Sequence, residues 1–471
     1  DFAKGTSSRS TKLIHGGVRY LQQGNVSLVL EALRERGLLT KNAPHLVHHL
    51  GFIVPNYTWW EAPFYGVGLK IYDLLAGKLG LGPSKHLSRE ETLQRLPTLE
   101  PEGLKGGTIY FDGQFDDARL AICLAQTAAD QGAILVNYLA VTRLLKQGDL
   151  VRGVVALDLE SRSEMQINAR VVINATGVFV DTLRNWDEPS TPPIIALSQG
   201  IHLVLDKSFL PGEDAIMVPK TDDGRVLFAI PWHDRALIGT TDTAVSTAQM
   251  EPRALPEEID FLLTHAARYL TKDPQASDAL SIFAGLRPLV KSADHKETAL
   301  VPRDHSILIS RSGLVTVTGG KWTTYRLMAQ DAVNQAATIA ELPDAPCRTQ
   351  DLLLYGAPGY REETGTFRRQ PGIEALLSSS ALWGKPLHPR LPYLIAHVIW
   401  AARHEMARTV EDVLSRRTRA LLLDAKLSVE ICPVVAALLA AELGRDEAWQ
   451  RQQIEDYTRL AAGYMCQHAV Q

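Results

Sequence analysis

The stretch Gly319-Gly320-Lys321-Trp322-Thr323-Thr324-Tyr325-Arg326 combines the residue types that hold an anion. It lies between the apolar, strand-like run Leu314 to Thr318 and a helix-like run that begins near Thr323. Glycines allow close approach to the backbone, and the first N–H groups of a helix have no partner inside it, so such a junction can receive negative charge. Lys321 and Arg326 add positive charge, although the same residues also make an ordinary strand-to-helix connection with two solvated bases. A second candidate is the N-terminal run, where Thr6, Ser7, Ser8, Ser10 and Thr11 crowd five hydroxyls into six positions just before Lys12. These groups suit phosphate or polyol oxygens and equally suit a solvated tail. His15-Gly16-Gly17-Val18-Arg19-Tyr20 follows directly. A third candidate, Asn174-Ala175-Thr176-Gly177, ends an apolar run in small residues, as at a sheet's carboxyl edge that faces a ligand.

The elements that must position these residues can be read from periodicity and punctuation. Asn25 is placed to cap a helix with Val26, Val29, Leu30 and Leu33 at helical spacing before Gly37 interrupts the pattern. Phe52 to Val54 and Thr108 to Phe111 read as strands, Ser88 to Glu91 as a capping box before a short helix that stops by Pro97, and Asp116-Asp117 as structural caps of a helix running to Gly132. Closely spaced strands follow at Ile134 to Val136, Val141 to Leu145, Val151 to Leu159 and Ala169 to Asn174, with a hairpin turn at Gly148-Asp149. The last of them is a continuous apolar run, expected in the buried interior of a parallel sheet. Residues 190 to 312 read as an antiparallel sheet covered on one face by a helix opened by Pro256-Glu257-Glu258. The helix after Gly320 should bury Leu327, Met328, Val333 and Ile339. From about residue 371 the chain reads as a helical appendage rich in Ala, Leu and Arg.

With 471 residues the chain can hold two or three domains. Its 45% hydrophobic and 22% charged residues are ordinary for a globular protein, and a net charge of -4 gives no electrostatic reason to expect nucleic acid. Cys123, Cys347, Cys432 and Cys466 show no metal-type spacing and are too few for a disulfide framework, which fits a reducing compartment. No run approaches the roughly 18 apolar residues that span a bilayer. The segment Trp59 to Leu75, aromatic and aliphatic with few charges, suits either a lipid interface or a packed cap over a site.

Taken together, the Gly5-Thr6-Ser7-Ser8 loop with Lys12 to Leu21, Asp116 to Leu120, Asn174 to Gly177, Ile238 to Asp242, Gly285 to Pro288, Gly319 to Arg326 and Thr409 to Arg419 resemble the FAD-dependent glycerol 3-phosphate dehydrogenases. That family belongs to a wider flavoprotein group related to D-amino-acid oxidase. The resemblance implies an α/β fold: a Rossmann-like, glutathione-reductase-type FAD-binding domain, an antiparallel-sheet substrate domain with a cap, and a C-terminal helical domain. The implied division gives residues 1–45, 106–185 and 313–345 to the FAD-binding domain, 46–105 to the cap, 186–312 to the substrate sheet and 346–471 to the helical domain. The family pattern opens with a strand, a G-x-G-x-x-G turn and a helix, then a strand ending in an acid that holds the adenosine ribose. Asp1 lies just beyond that point, so about 30 to 40 residues of the pattern would precede it, and the sequence is expected to be a piece of a longer chain.

By the same resemblance, Thr6, Ser7, Ser8, Ser10 and Lys12 line FAD, and His15, Gly16 and Gly17 approach its isoalloxazine. Asn174, Thr176 and Gly177 meet the cofactor at the sheet edge, and Gly319, Gly320 and Thr323 sit by the flavin ring. Arg19, Tyr20, Arg287, Arg303 and Lys321 fall at the family's substrate positions, where guanidinium groups can hold phosphate in bidentate fashion. The implied reaction moves hydride from C2 of glycerol 3-phosphate to flavin N5, giving dihydroxyacetone phosphate. His202 is the expected base, since an imidazole titrating near ~6.5 is partly neutral at cytosolic pH. Arg287 could rival it only with a pKa far below the arginine range. Electrons would pass to a membrane quinone at the cytoplasmic face, with peripheral membrane contact. Direct use of oxygen by a glycerol 3-phosphate oxidase, or a flavin-free interaction protein if the glycine turn were truly missing, are the alternatives. No metal is implied, and a homodimer is compatible with the sequence.

Overall fold

A computed structural model describes residues 1–17, 25–59, 61–222, 224–291, 305–358 and 372–466. In chain order the first half contains β1 (Leu13–Ile14), α1 (Val26–Asn42), β2 (Val47–Asn56), α2 (Glu61–Ala76), β3 (Lys85–Leu87), α3 (Arg89–Arg95), β4 (Gly106–Phe115), α4 (Asp117–Asp130), β5 (Leu139–Gln147), β6 (Leu150–Asp158), β7 (Glu164–Asn168), β8 (Ile173–Asn174) and α5 (Val180–Asp187). Then come β9 (Ile195–Asp206), β10 (Ala215–Val218), β11 (Leu227–Trp232), β12 (Arg235–Gly239), β13 (Thr243–Val245), α6 (Pro256–Ala267), β14 (Ser281–Val290), β15 (His305–Ile309), β16 (Val315–Gly319) and α7 (Tyr325–Ile339). The C-terminal unit holds α8 (Ile373–Ser379), α9 (Ile395–His404), α10 (Ala420–Leu423), α11 (Ala425–Leu443) and α12 (Glu447–Ala462).

The main sheet has ten strands in the order β1-β4-β2-β10-β11-β12-β9-β13, with β14 also on β9 and β3 on β4. All its pairs are antiparallel except β2 with β10. Alternation along β9 sends Ile201, Leu203 and Leu205 into one core with Ile259 and Leu262 of α6, and Val204 into another with Leu414, Leu421 and Val435 of the helical unit. The sheet is therefore covered on both faces, not one, and this is why its central strands read as nearly continuous apolar runs. The division expected at residue 105/106 also falls inside this sheet, because β4 pairs with β2 through ten residue pairs.

Two small sheets complete the fold. β5-β6-β7 is an antiparallel meander with Gly148 in its first turn at φ 59°. In the third, β16 pairs antiparallel with β15 and parallel with β8. The predicted strand at Ile134 to Val136 is absent: Ile134 is 93% exposed and these residues have no strand beside them to supply hydrogen bonds. Only Ile173 and Asn174 of the predicted 169–174 strand pair, and the run is half-exposed, not buried.

Local capping follows the sequence closely. Asn25 accepts from the Leu28 amide, Ser88 and Glu91 form a reciprocal capping box, and Asp116 accepts from the Arg119 amide. Gly37, however, does not end α1. A Cβ there would press on Leu79, so the glycine permits close packing inside a continuing helix. On α7 the buried positions are Arg326, Ala332 and Ala336, while Val333 faces solvent; Arg326 at the start of the helix is buried in an ion pair with Glu35.

Burial depresses His45, His233 and His397 to about 4 each, so the fold holds three neutral imidazoles that the unfolded chain would protonate. Between the unfolded value near ~6.5 and the folded value, acid therefore favours unfolding, by up to about 1.4 kcal/mol per pH unit for each group. The urea midpoint should fall steadily from pH 7 to pH 5; a midpoint flat over that range would contradict neutral burial.

Candidate active site

The parallel pair β8 and β16, in register at Ile173↔Val315 and Asn174↔Thr316, delivers two carboxyl ends side by side. Each runs into glycines of positive φ, Gly177 at 59° after β8, and Gly319 at 76°, the last residue of β16, with Gly320 at 70° after it. A short 3-10 turn and then a helix follow each glycine junction, α5 in one case and α7 in the other. Ligands bind outside the carboxyl ends of parallel strands, where helix starts present unpaired N–H groups. At Gly177 a Cβ would meet nothing within 4 Å, so the junction is open; at Gly320 it would strike Met328, so that glycine serves packing. Asn174 is buried, donating to Val180 O at 2.9 Å and accepting from Thr176 Oγ1 at 2.7 Å. It shapes the turn and does not face outward.

The hydroxyl-rich N-terminal loop is laid against these junctions. Trp322 Nε1 donates to Ser7 O at 2.9 Å and Thr323 Oγ1 to His15 O at 3.4 Å, joining the two stretches that the sequence singled out. From beneath, fully buried Lys12 donates to Ser8 O and to Asp117, both at 2.7 Å, and Ser10 Oγ donates to Asp117 at 2.7 Å. Lys12 also lies over the Phe283 and Trp232 rings. Lys12 and Ser10 thus hold the loop, Lys12 with no polar atom outward, and Thr6 is fixed by donating to Leu286 O at 2.7 Å. Gly16 donates to Tyr72 Oη at 2.9 Å, and a Cβ on it would overlap that oxygen and Leu33; its glycine is explained by this packing. Gly17 has φ 79°.

Two antiparallel strands supply the remaining chemistry. His202 on β9 faces Phe283 on β14, ring stacked on ring at 4.9 Å, and lies 2.9 Å from Thr11 Oγ1 through Nε2. It is 2% exposed, and its Nδ1 has no hydrogen-bond partner among the described residues. Burial first, then the charges of Lys12 and Arg287, hold its pKa well below the usual range, so the imidazole is neutral. Half-buried Arg287 is oriented by Ser198 Oγ at 3.2 Å, Thr241 O at 3.2 Å and Thr240 Oγ1 at 3.0 Å. A Cβ on Gly200 would collide with its guanidinium, so Gly200, Thr240 and Thr241 form a seat that sequence reasoning did not assign. β14 packs beside β16, which leads to Lys321.

Arg326, expected to add charge for an anion, instead forms a two-pronged pair with Glu35 at 2.7 and 2.8 Å and is buried. Arg19, Tyr20 and Arg303 lie outside the described residues. Glu35, Arg36, Tyr72 and Asp112, all buried around this site, were missed; the only hint was a Glu-Arg dipeptide inside an otherwise apolar helical pattern.

Comparison with known proteins agrees with this geometry. A family described as FAD dependent oxidoreductase matches residues 1–326, and the C-terminal domain of alpha-glycerophosphate oxidase matches residues 369–450. The chain is 38% identical over 494 residues to the mitochondrial glycerol-3-phosphate dehydrogenase of Bos taurus, covering 97% of this chain and 68% of that protein. It is 38% identical over 507 residues to the probable mitochondrial glycerol-3-phosphate dehydrogenase of Caenorhabditis elegans, covering 100% and 70%. Among solved structures, the glycerol-3-phosphate dehydrogenase from Bacillus halodurans complexed with FAD superposes with a TM-score of 0.77 at 28% identity, covering 100% of this chain and 90% of that one.

Proposed function

The chain belongs to the FAD-dependent oxidoreductase family, and from that premise we propose that it oxidises sn-glycerol 3-phosphate to dihydroxyacetone phosphate. What carries this reading is similarity over nearly the full chain to proteins named for that activity, joined to Arg287 on β14 and Lys321 just past the end of β16, which packs against β14. The residues present fit FAD: an open Gly177 junction, paired helix starts, and a loop whose Ser7 and His15 carbonyls are tied to the second junction. Bound FAD would supply the two-electron acceptor for the substrate's hydride.

The chain's own residues do the rest. Arg287, held in a fixed orientation by its seat, offers a planar fork to phosphate, and Lys321 adds a point charge at the strand end. Arg19 and Arg303 are proposed to join them. His202, kept neutral, takes the proton of the C2 hydroxyl; the Thr11 hydroxyl now at its Nε2 marks where a substrate hydroxyl would stand. Replacing Arg287 or Lys321 by Ala should raise the KM for glycerol 3-phosphate on the order of 10-fold or more, the effect of losing a charge-assisted contact. An unchanged KM in both variants would misplace the phosphate site. His202→Ala should lower kcat across the pH range, and wild-type turnover would remove the imidazole from the chemistry.

We also propose a quinone acceptor and peripheral membrane contact, on the cytoplasmic side that four free thiols suit. No helix among the described residues is long and apolar enough to cross a membrane. Yet α2 is apolar on two faces: Leu69, Tyr72 and Ala76 are buried, while Val67, Ile71 and Leu74 lie exposed at i, i+4 and i+7, with Trp59 83% exposed just before the helix. An outward apolar stripe on a surface helix suits a lipid interface. Trp59→Ser combined with Val67→Ser and Leu74→Ser should abolish flotation with phospholipid vesicles, and undiminished flotation would acquit this surface. The oxidase named in the C-terminal match makes oxygen the competing acceptor; turnover with a soluble quinone under anaerobic conditions, set beside peroxide release in air, separates the two.

A further inference from the structure

Helix α1 carries two adjacent buried residues of opposite charge, and each reaches a different wall of the site. The Glu35 carboxylate receives Arg326 through Nε at 2.8 Å and Nη2 at 2.7 Å. Arg326 is two residues beyond Thr324, so this pair fastens the end of the Gly319–Thr324 wall. Arg36 donates to Asp112 at 2.6 Å, and Tyr72 Oη donates to the same carboxylate at 3.0 Å while accepting from the Gly16 amide at 2.9 Å. That chain fastens the His15–Gly17 wall.

All five side chains are buried, with Glu35 and Arg36 among the least exposed charged groups of the helix. Burying charges in pairs is rarely a cheap source of stability, because apolar residues of similar size fill the same space without a desolvation penalty. Their directional bonds instead fix geometry. Thr323 to His15 joins the two walls directly, Trp322 reaches back to Ser7, and behind both walls stand the two charged residues of α1.

We propose that Glu35 and Arg36 form a positioning clamp that sets the separation and register of the two walls between which the redox chemistry takes place. Neither residue touches the reacting atoms; each acts through Arg326 or through Asp112 and Tyr72. The inference rests on the reading of this cleft as the cofactor and substrate site.

The test uses the flavin-loaded full-length enzyme with two variants. Glu35→Met with Arg326→Met replaces one ion pair by apolar packing and should keep the thermal midpoint near wild type. Tyr72→Phe removes only the hydroxyl that reaches Gly16. Hydrogen–deuterium exchange should rise in residues 319–324 for the first and in residues 13–17 for the second, with exchange in α6 unchanged. In each, kcat for glycerol 3-phosphate should fall on the order of 10-fold or more with a smaller change in KM, and the visible flavin band should shift, as expected when a reacting geometry loosens. Wild-type exchange in both walls, or raised exchange with wild-type kcat and flavin spectrum, would overturn the clamp. A wild-type enzyme that fails to oxidise glycerol 3-phosphate would instead sink the substrate reading, and the exchange and spectral shifts would still decide the clamp.

Discussion

A charge taken out of water must find an opposite charge, and the N-terminal segment of this chain is held in place by that requirement. Residues 1–12 contain one 3-10 turn and no strand, yet they lie against three distant parts of the molecule. Lys12 pairs with Asp117, Arg9 with Glu251, and Asp1 with Arg416 and Arg417. Removing one member of such a pair costs about 3–5 kcal/mol, because its partner is left buried and uncompensated. A loop without regular hydrogen bonding thereby becomes as well placed as a strand. The hydroxyls and carbonyls it carries can then serve as one side of a ligand cleft.

The same requirement governs several basic residues around the cleft. Lys12, Arg36 and Arg326 are committed to Asp117, Asp112 and Glu35, and their charge is neutralised inside the frame. Arg287 is oriented in part by the hydroxyls of Ser198 and Thr240 and the carbonyl of Thr241, on a strand that packs against the one leading to Lys321. Basic residues close together in sequence thus have different tasks. Lys321 and Arg326 are five positions apart, and only Lys321 remains a candidate for the substrate.

Much of this architecture is legible in the sequence. Caps at Asn25, Ser88 and Asp116 stand where local hydrogen-bonding chemistry puts them, and so do the hairpin at Gly148 and the Pro256 helix start. The glycine junctions at 177 and 319–320 were recognisable because positive φ and a preceding apolar run are local properties. What escaped depends on partners far along the chain. Gly37 reads as an interruption of the helix unless Leu79 is known to press on it, and Val333 reads as core although the described fold places nothing over it and leaves it exposed. The Ile134 to Val136 run has strand composition, but a strand exists only where another supplies hydrogen bonds. Tyr72 and Asp112 are single residues on separate elements, and nothing in their local sequence announces the Gly16 amide they share.

The central claim is the proposal that the cleft beside β8, β14 and β16 places Arg287 and Lys321 toward the phosphate of an alcohol whose hydride goes to FAD. Mixing the flavin-loaded enzyme anaerobically with glycerol 3-phosphate, and separately with the same concentration of glycerol, tests this in one observation of visible flavin absorbance. The phosphate ester should bleach the flavin and glycerol should leave it oxidised. Equal bleaching by glycerol, or none by the ester, would contradict the account.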